Sequence, residues 1–438
     1  MNLNGKDFLT SLEKHSTPFQ EETDLAPLID LMGDKKVVMI GEASHGSAEF
    51  YRWRSALTQT LISQYGFNFV CIEGDWPSSQ HVNNFVKNKT QENTVQCLGH
   101  FDRWPTWMWA NTEVSDFIDW QKKYNLDFKK AVGFHGLDVY SLFDSMDQVI
   151  RILNKIDPDS AIKAEKYFTC LNAFSRDEMT YARSLFKAPE GCKNEIINVL
   201  EDLLTGRLEA KATATDEYLD LIQNAKILRH AEDYYRAMIF GEQNSWNVRD
   251  QHMFDTLESL LHHYGPHSKG IVWAHNSHIG DYRATEMVSQ GEITLGGLAR
   301  EILGDEHVGL IGMGTNSGAV LASDAWDGPA EIKMIPPGKP LSAEAYFHQL
   351  SKKLNSPNLF SIFDQPSKTG SLATSVPHRA IGVVYEPDSE MRRNYVQSSL
   401  SHRYDAFIYI DETNPIVPMG SHFNHLKFPE TYPFGTRV

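Results

Sequence analysis

Glu42 and His45 stand three positions apart in Gly41-Glu42-Ala43-Ser44-His45-Gly46, directly after the apolar run Val37–Ile40. His275 and His278 stand three apart in Ala274-His275-Asn276-Ser277-His278, directly after a second such run. Glu73 follows Phe69-Val70-Cys71-Ile72, and His135 and Asp138 follow Ala131–Phe134. Imidazoles and carboxylates are the side chains that take and give protons near neutral pH. Groups of this kind at the ends of four apolar runs read as one site assembled from distant parts of the chain. His45 is the candidate base. It precedes a helical pattern, and the positive end of a helix disfavours imidazolium. Glu42 or Glu73 would orient the ring or the water. His275 and His278 would steady an oxyanion or protonate a leaving alkoxide.

Other residues define what else the site could do. Ser44 is discounted as a nucleophile, because neighbouring side chains in an extended turn point apart, and no G-x-S-x-G elbow occurs. His45, Glu73, His275 and His278 have ligand types that suit zinc, but there is no H-E-x-x-H and no cysteine pair. A divalent metal is therefore possible and not expected, and no cofactor is required. Trp104, Trp107 and Trp109 are candidates for an apolar substrate wall, with core packing as the competing reading. Arg52 and Arg54, on the helix after His45, could reach back to a carboxylate or oxyanion. His135, Asp138 and Arg249 complete the candidate substrate-binding set. For Arg249, in Ser245-Trp246-Asn247-Val248-Arg249-Asp250, the alternative is a structural Arg–Asp pair. Gly312–Gly318 is glycine-rich but lacks a phosphate-binding fingerprint.

The elements that must hold these residues are short apolar or β-branched runs alternating with helical patterns. The runs are Val37–Ile40, Phe67–Ile72, Ala131–Phe134, Ile271–Ala274, Val308–Ile311, Ile381–Tyr385 and Ala406–Ile410. They lack strict alternation, as strands covered on both faces do. Ala48–Ser63 carries apolar positions at helical spacing and joins the first two. The fold class expected is α/β, a mostly parallel central sheet flanked by helices. Parallel strands put all these loaded ends on one edge, where such sheets bind ligands. Residues 144–263 lack strand runs and read as a helical insertion forming a lid or subdomain. Residues 1–143 and 264–411 form the α/β core, and 412–438 a tail wrapping the surface.

The segments GEASHG, IEGDWP, GFHGLDVYS, SWNVRDQHM and VWAHNSHIGD, in that order between Val37 and Gly314, resemble the erythromycin esterase family. The resemblance implies an α/β fold with added helices, and hydrolysis of the ester that closes a macrolide lactone. It implies that His45 is the base that activates water. It carries the family's two motif glutamates onto Glu42 and Glu73, and its paired histidines onto His275 and His278.

The bulk numbers bound the rest. A formal charge of −16 over 438 residues argues against nucleic acid or an anionic membrane as partner. No apolar run approaches a membrane span, and Met1–His15 has no signal-peptide pattern. The four cysteines make no framework, and Cys71 reads as a buried thiol. The expectation is a cytoplasmic hydrolase of a carboxylic ester, acting through His-activated water without a covalent intermediate, on a macrolide or other bulky ester. Two other classes fit the same residues: a metal-dependent hydrolase or transferase, and a non-catalytic binder of bulky apolar molecules.

Overall fold

The computed structural model describes residues 3–127, 131–205, 215–241 and 244–419. In chain order its strands are β1 (Ser16–Pro18), β2 (Val37–Ile40), β3 (Phe69–Asp75), β4 (Gly133–Asp138), β5 (Gly270–Trp273), β6 (Val308–Ser323), β7 (Ala330–Ile335), β8 (Asn358–Ile362), β9 (Val376–Arg379), β10 (Tyr395–Ser398) and β11 (Ala406–Thr413). Nine of them form one sheet in the order β1-β8-β11-β6-β2-β5-β3-β4, with β7 paired to the far half of β6. From β11 to β4 every pairing is parallel. Only β1, β8 and β7 join antiparallel. β9 and β10 form a separate hairpin. The mostly parallel sheet flanked by helices is the architecture the sequence predicts.

Alternation along each strand divides the core. Val38, Ile40, Val70, Ile72, Ile271 and Trp273 face one side and pack on helices that include Ala48–Tyr65 and Thr112–Leu126. Val37, Met39, Phe69, Cys71, Val272 and Ala274 face the other, against Leu3–His15, Ser245–Tyr264 and Ala343–Leu354. A third apolar cluster lies among the helices between Val139 and Phe240. There Cys170 and Cys192 are disulfide-bonded, while Cys71 and Cys97 are buried thiols. Helix Ser245–Tyr264 begins at that cluster and then lays Met253, Phe254, Leu257 and Leu261 on the sheet. Among the described residues no helix is long and apolar enough to cross a membrane.

Several elements differ from the sequence pattern. Ile381–Tyr385 is not a strand. The Ile381 N–H donates to Ala43 O and the Tyr385 N–H to Ser323 O, so the segment crosses the strand ends. β6 continues far beyond Ile311 through its glycines. β3 and β4 run on to Asp75 and Asp138, so Glu73, His135 and Asp138 lie within the strands and not beyond their ends. β8, only five residues long, carries no pattern that marks it. Of the expected tail, Asn414 to Met419 lies along the sheet edge, Ile416 donating to Gly46 O and Met419 to Ala110 O. Residues 420–438 lie outside the described residues.

Candidate active site

The carboxyl ends of β2, β5, β3 and β4 are neighbours in the sheet, Ile40 and Ile72 both registering with Trp273 and Asp75 with Asp138. Above them is a cleft of about 290 Å³, lined by His45, Glu73, Asp138, Arg249, His275 and His278 among others. These six dispersed sequence candidates therefore converge.

His45 sits in the turn between β2 and helix Ala48–Tyr65. Its Nδ1 lies 2.8 Å from Glu42 Oε1. A carboxylate oxygen accepts, so Nδ1 donates, and in the neutral ring Nε2 is the acceptor available to a bound molecule. Glu42 is fully buried, and its other oxygen lies 2.9 Å from Arg54 Nη1. These two atoms meet off the hydrogen-bonding angles, so the contact is one of charge. Arg54 is pinned by the carbonyls of Gly41 at 3.2 Å and Ala274 at 2.8 Å, which joins the two histidine-bearing turns. The backbone of His45 accepts from Tyr51 Oη at 2.8 Å.

His275 is fixed the opposite way. The Ser277 N–H, which can only donate, lies 3.2 Å from His275 Nδ1, and Ser277 Oγ lies 2.7 Å from it. Nδ1 is then an acceptor, and the proton of the neutral ring is on Nε2. Burial, followed by the nearby His45, pushes His275 well below its ordinary value, so the ring is neutral. Nε2 is buried and makes no hydrogen bond of good geometry, with the Ala43 carbonyl its one backbone neighbour acting on the ring. The two rings lie 5.0 Å apart between centroids.

Glu73 does not touch His45 directly. Its Oε2 accepts the His275 N–H at 2.8 Å, and its Oε1 accepts from Arg249 Nη2 at 2.8 Å. Burial works to raise this carboxyl, but His278, Arg249 and His45 outweigh it and hold it well below the usual range. Arg249 also forks onto Asp138, at 2.9 and 2.7 Å. His278 bonds Asp250 Oδ1 through Nδ1 at 2.8 Å and stacks on Trp246 at 4.3 Å. Its Nε2 lies 3.3 Å from Glu73 Oε1 and 2.9 Å from Arg249 Nη1. Each protonation state of that nitrogen thus has a partner in place, an acceptor in Glu73 or a donor in Arg249. Burial works to lower His278, but Asp250 and Glu73 outweigh it and raise it to about 9. Burial also raises Asp250 against His278. The proton stays on the ring because Glu73 attracts it from the other side.

Four sequence candidates for substrate contact lie elsewhere. Arg52 is on the surface, paired with Glu49 and Glu113. Arg54 is fully buried behind Glu42 and meets a carboxylate of the protein itself. Trp107 is turned into the core. His135 is buried under Trp76, with Nε2 at 2.9 Å from Tyr264 Oη. Each follows from which face of its element points at the cleft, which sequence position alone does not give. Trp104 and Trp109 do line the cleft. Trp104 Nε1 donates to Gly328 O at 3.1 Å and Trp109 Nε1 to Glu73 O at 2.9 Å.

The sequence reading missed Asp250, Trp246 and Ser277 as site residues, although all three sit inside the motifs it singled out. It also missed Asp75. Burial raises this carboxyl to about 6 against the pull of Arg103, which lies 2.6 Å away. Arg103 is shared with Asp144 at 3.2 Å and Glu178 at 3.5 Å, so Asp75 receives less than a full counter-charge. The four residues that would have held a metal do not converge on one point. Both His278 nitrogens and both Glu73 oxygens are engaged, and the Arg249 guanidinium stands among them.

The fold and this cleft define an α/β protein with a histidine–carboxylate–arginine site at the carboxyl edge of a parallel sheet. The chain belongs to the erythromycin esterase family, whose characteristic sequence matches residues 62–413. It is 25% identical over 321 residues to erythromycin esterase type II of Escherichia coli, covering 68% of this chain and 73% of that one. A solved protein from Bacillus cereus superposes with a TM-score of 0.80 at 20% identity, covering 95% of this chain and 99% of that one. The erythromycin esterase EreC, solved as a mutant in its open conformation, superposes with a TM-score of 0.67 at 15% identity, over 90% and 95%.

Proposed function

We propose that this protein hydrolyses a carboxylic ester by direct attack of water, with a macrolide lactone as the leading substrate. The observation that carries the reading is the pair of histidines held in opposite tautomers, 5.0 Å apart at the cleft floor. His45 presents a lone pair at Nε2, and His275 carries a proton at Nε2. Water attack on an ester needs both: an acceptor for the water proton and a donor for the oxygen that gains charge.

In the proposed sequence, His45 Nε2 takes a proton from water as the oxygen bonds to the ester carbon. The Glu42 carboxylate, itself facing Arg54, steadies the imidazolium that forms. The His275 N–H stabilises the oxyanion. When the tetrahedral intermediate collapses, His45 returns the proton to the leaving alkoxide, giving acid and alcohol. Glu73, held by Arg249 and bonded to the His275 backbone, positions that histidine. His278 anchors the far side of the same network. No step calls for a metal ion, in keeping with the engaged ligand atoms. The macrolide assignment rests on family membership and on the name of the Escherichia coli relative. A net charge of −16 also suits a substrate bearing an amino sugar.

The test is mass spectrometry of a macrolide panel, with simple esters and lactones beside it, after incubation with purified protein. One water mass added to a macrolide, absent with His45→Ala, is the expected result, with no acyl-enzyme mass in quenched samples. Hydrolysis by a folded His45→Ala variant at the wild-type rate overturns the base. Hydrolysis confined to small esters overturns the substrate. Prolonged chelation should leave kcat on a small ester unchanged, and full loss restored by one metal would move the chemistry to that ion.

A further inference from the structure

Away from the cleft floor, three side chains that the proposed reaction does not use come together. His81 lies on helix Trp76–Val86, Glu92 in the connection after it, and His100 just beyond helix Thr94–Leu98. One ligand atom from each lies within 4.8 Å of the other two, and among the described residues no other three His, Cys, Asp or Glu side chains do so. The two rings stack at 3.5 Å between centroids and 14° between planes. His100 Nε2 lies 2.8 Å from Glu92 Oε1.

The cluster offers two imidazoles and a carboxylate together. This is the ligand set that suits zinc and its neighbours and not magnesium or calcium, which prefer oxygen alone. Donors on one zinc ion stand roughly 3.4 Å apart, given bonds of about 2.1 Å in a tetrahedron. Ligand atoms already within 4.8 Å reach that spacing by turning side chains. His100 and Glu92 keep side-chain exposures of 36% and 29%, so an ion can enter from solvent and complete its shell with water.

We propose that His81, Glu92 and His100 form a binding site for one divalent ion of the zinc class, separate from the reaction centre. Its position gives it a consequence. His100 is followed by Phe101, Arg103 and Trp104, which line the cleft, and His81 shares its helix with Ser78, which lines it too. A bound ion ties the wall segment to the helix that grows out of β3. It braces one side of the cleft without entering the chemistry.

The experiment uses untagged full-length protein freed of metal by chelation and dialysis. Zinc chloride is titrated by calorimetry, and cobalt chloride by visible absorption, where nitrogen and oxygen ligands give ligand-field bands. Binding of one equivalent is expected, with magnesium silent. His81→Ala and Glu92→Gln should each weaken zinc by about tenfold or more, while His275→Ala should bind as the wild type does. Zinc should also slow proteolytic cleavage between Lys87 and Arg103. Melting of the metal-free variants beside metal-free wild type checks folding, and Glu92→Gln, on a partly exposed carboxylate, keeps the test sound should His81→Ala unfold. No binding, binding unchanged in both cluster variants, or binding lost in His275→Ala overturns the site. None of these outcomes depends on ester hydrolysis.

Discussion

The Ser277 backbone N–H, not its hydroxyl, decides what His275 can do. Because an amide nitrogen cannot accept, Nδ1 must, and the ring proton goes to Nε2, which makes no hydrogen bond of good geometry within the protein. Ser277→Ala should therefore change kcat by less than about tenfold, since it removes one bond of roughly 1 kcal/mol and leaves the tautomer set. His275→Ala should lower kcat by about 10²–10³, the usual effect of losing an oxyanion donor. Equal losses in both variants, in a kinetic comparison on one ester, would sink the tautomer argument. His278 makes a different prediction. Its folded value of about 9 lies above the roughly 6.5 of an unfolded histidine. Its contribution to stability is complete below about pH 6.5 and is lost as pH rises through about 9. Melting from pH 6 to 10 should fall more steeply for wild type than for His278→Gln, and parallel curves would refute the shift. At this scale the sequence was informative about reacting groups and silent about their holders. Glu42 and His45 share one turn, so their pairing could be read. Asp250 and Trp246 act through contacts that exist only once helix Ser245–Tyr264 lies beside the strand ends, and Ser277 through a turn whose direction the sequence does not give.

Between elements, the turn carrying His45 is clamped by a strand the sequence only half revealed. β6 passes over that turn, the Leu321 N–H donating to Gly46 O at 3.1 Å, and the Ile416 N–H reaches the same carbonyl at 3.0 Å. A Cβ on Gly46 would stand 1.9 Å from Leu321 O. Only glycine allows two backbones so close. Gly46→Ala should destabilise by about 2–3 kcal/mol through overpacking and lower activity further by shifting His45. Denaturant unfolding beside kinetics checks it, and a variant of wild-type stability and rate would show that β6 yields freely. The glycines of Gly41-Glu42-Ala43-Ser44-His45-Gly46 were visible as turn formers, but the reason for Gly46 was not. The strand signal fades after Ile311, because Gly312 and Gly314 leave room for the Phe407 and Tyr404 rings in place of side chains of their own. A strand built by its neighbours' aromatics has no apolar run to read. The reverse error, at Ile381–Tyr385, has the same root. Its residues are apolar because they cover the cleft, and Gly382 to Val384 line it.

For the whole molecule, the proposed reading raises the question of how a bulky substrate enters. A cleft of about 290 Å³ lies at the lower edge of the roughly 300–1,000 Å³ typical of small-molecule sites. On the proposed reading, a macrolide enters as the walls part. Trp246 and Arg249, with Tyr140 at the start of the helical layer, supply one wall, and the segment from Phe101 to Trp109 supplies another. Arg103 joins them to the sheet. It holds Asp75 at the end of β3, and it reaches Asp144 and Glu178 on helices of the layer between Val139 and Phe240. The wide parallel sheet and the long helical stretch could be foreseen from periodicity, whereas a bridge between them depends on chain segments meeting in space. Replacing only the helical half of the bridge, as Asp144→Asn with Glu178→Gln, leaves Arg103 on Asp75 and frees the layer. The cost in stability should be about 1–2 kcal/mol, equivalent to a roughly 5–30-fold larger open population. Amide exchange in Leu142–Ile156 should quicken. On the proposed reading, kcat/KM for a macrolide should rise relative to that for a small ester, because only the large substrate waits for opening. A ratio that stays fixed while exchange quickens would show that the helical layer moves without admitting substrate. The entrance would then lie on the other wall, along Phe101 to Trp104, where the proposed zinc-class site braces the chain.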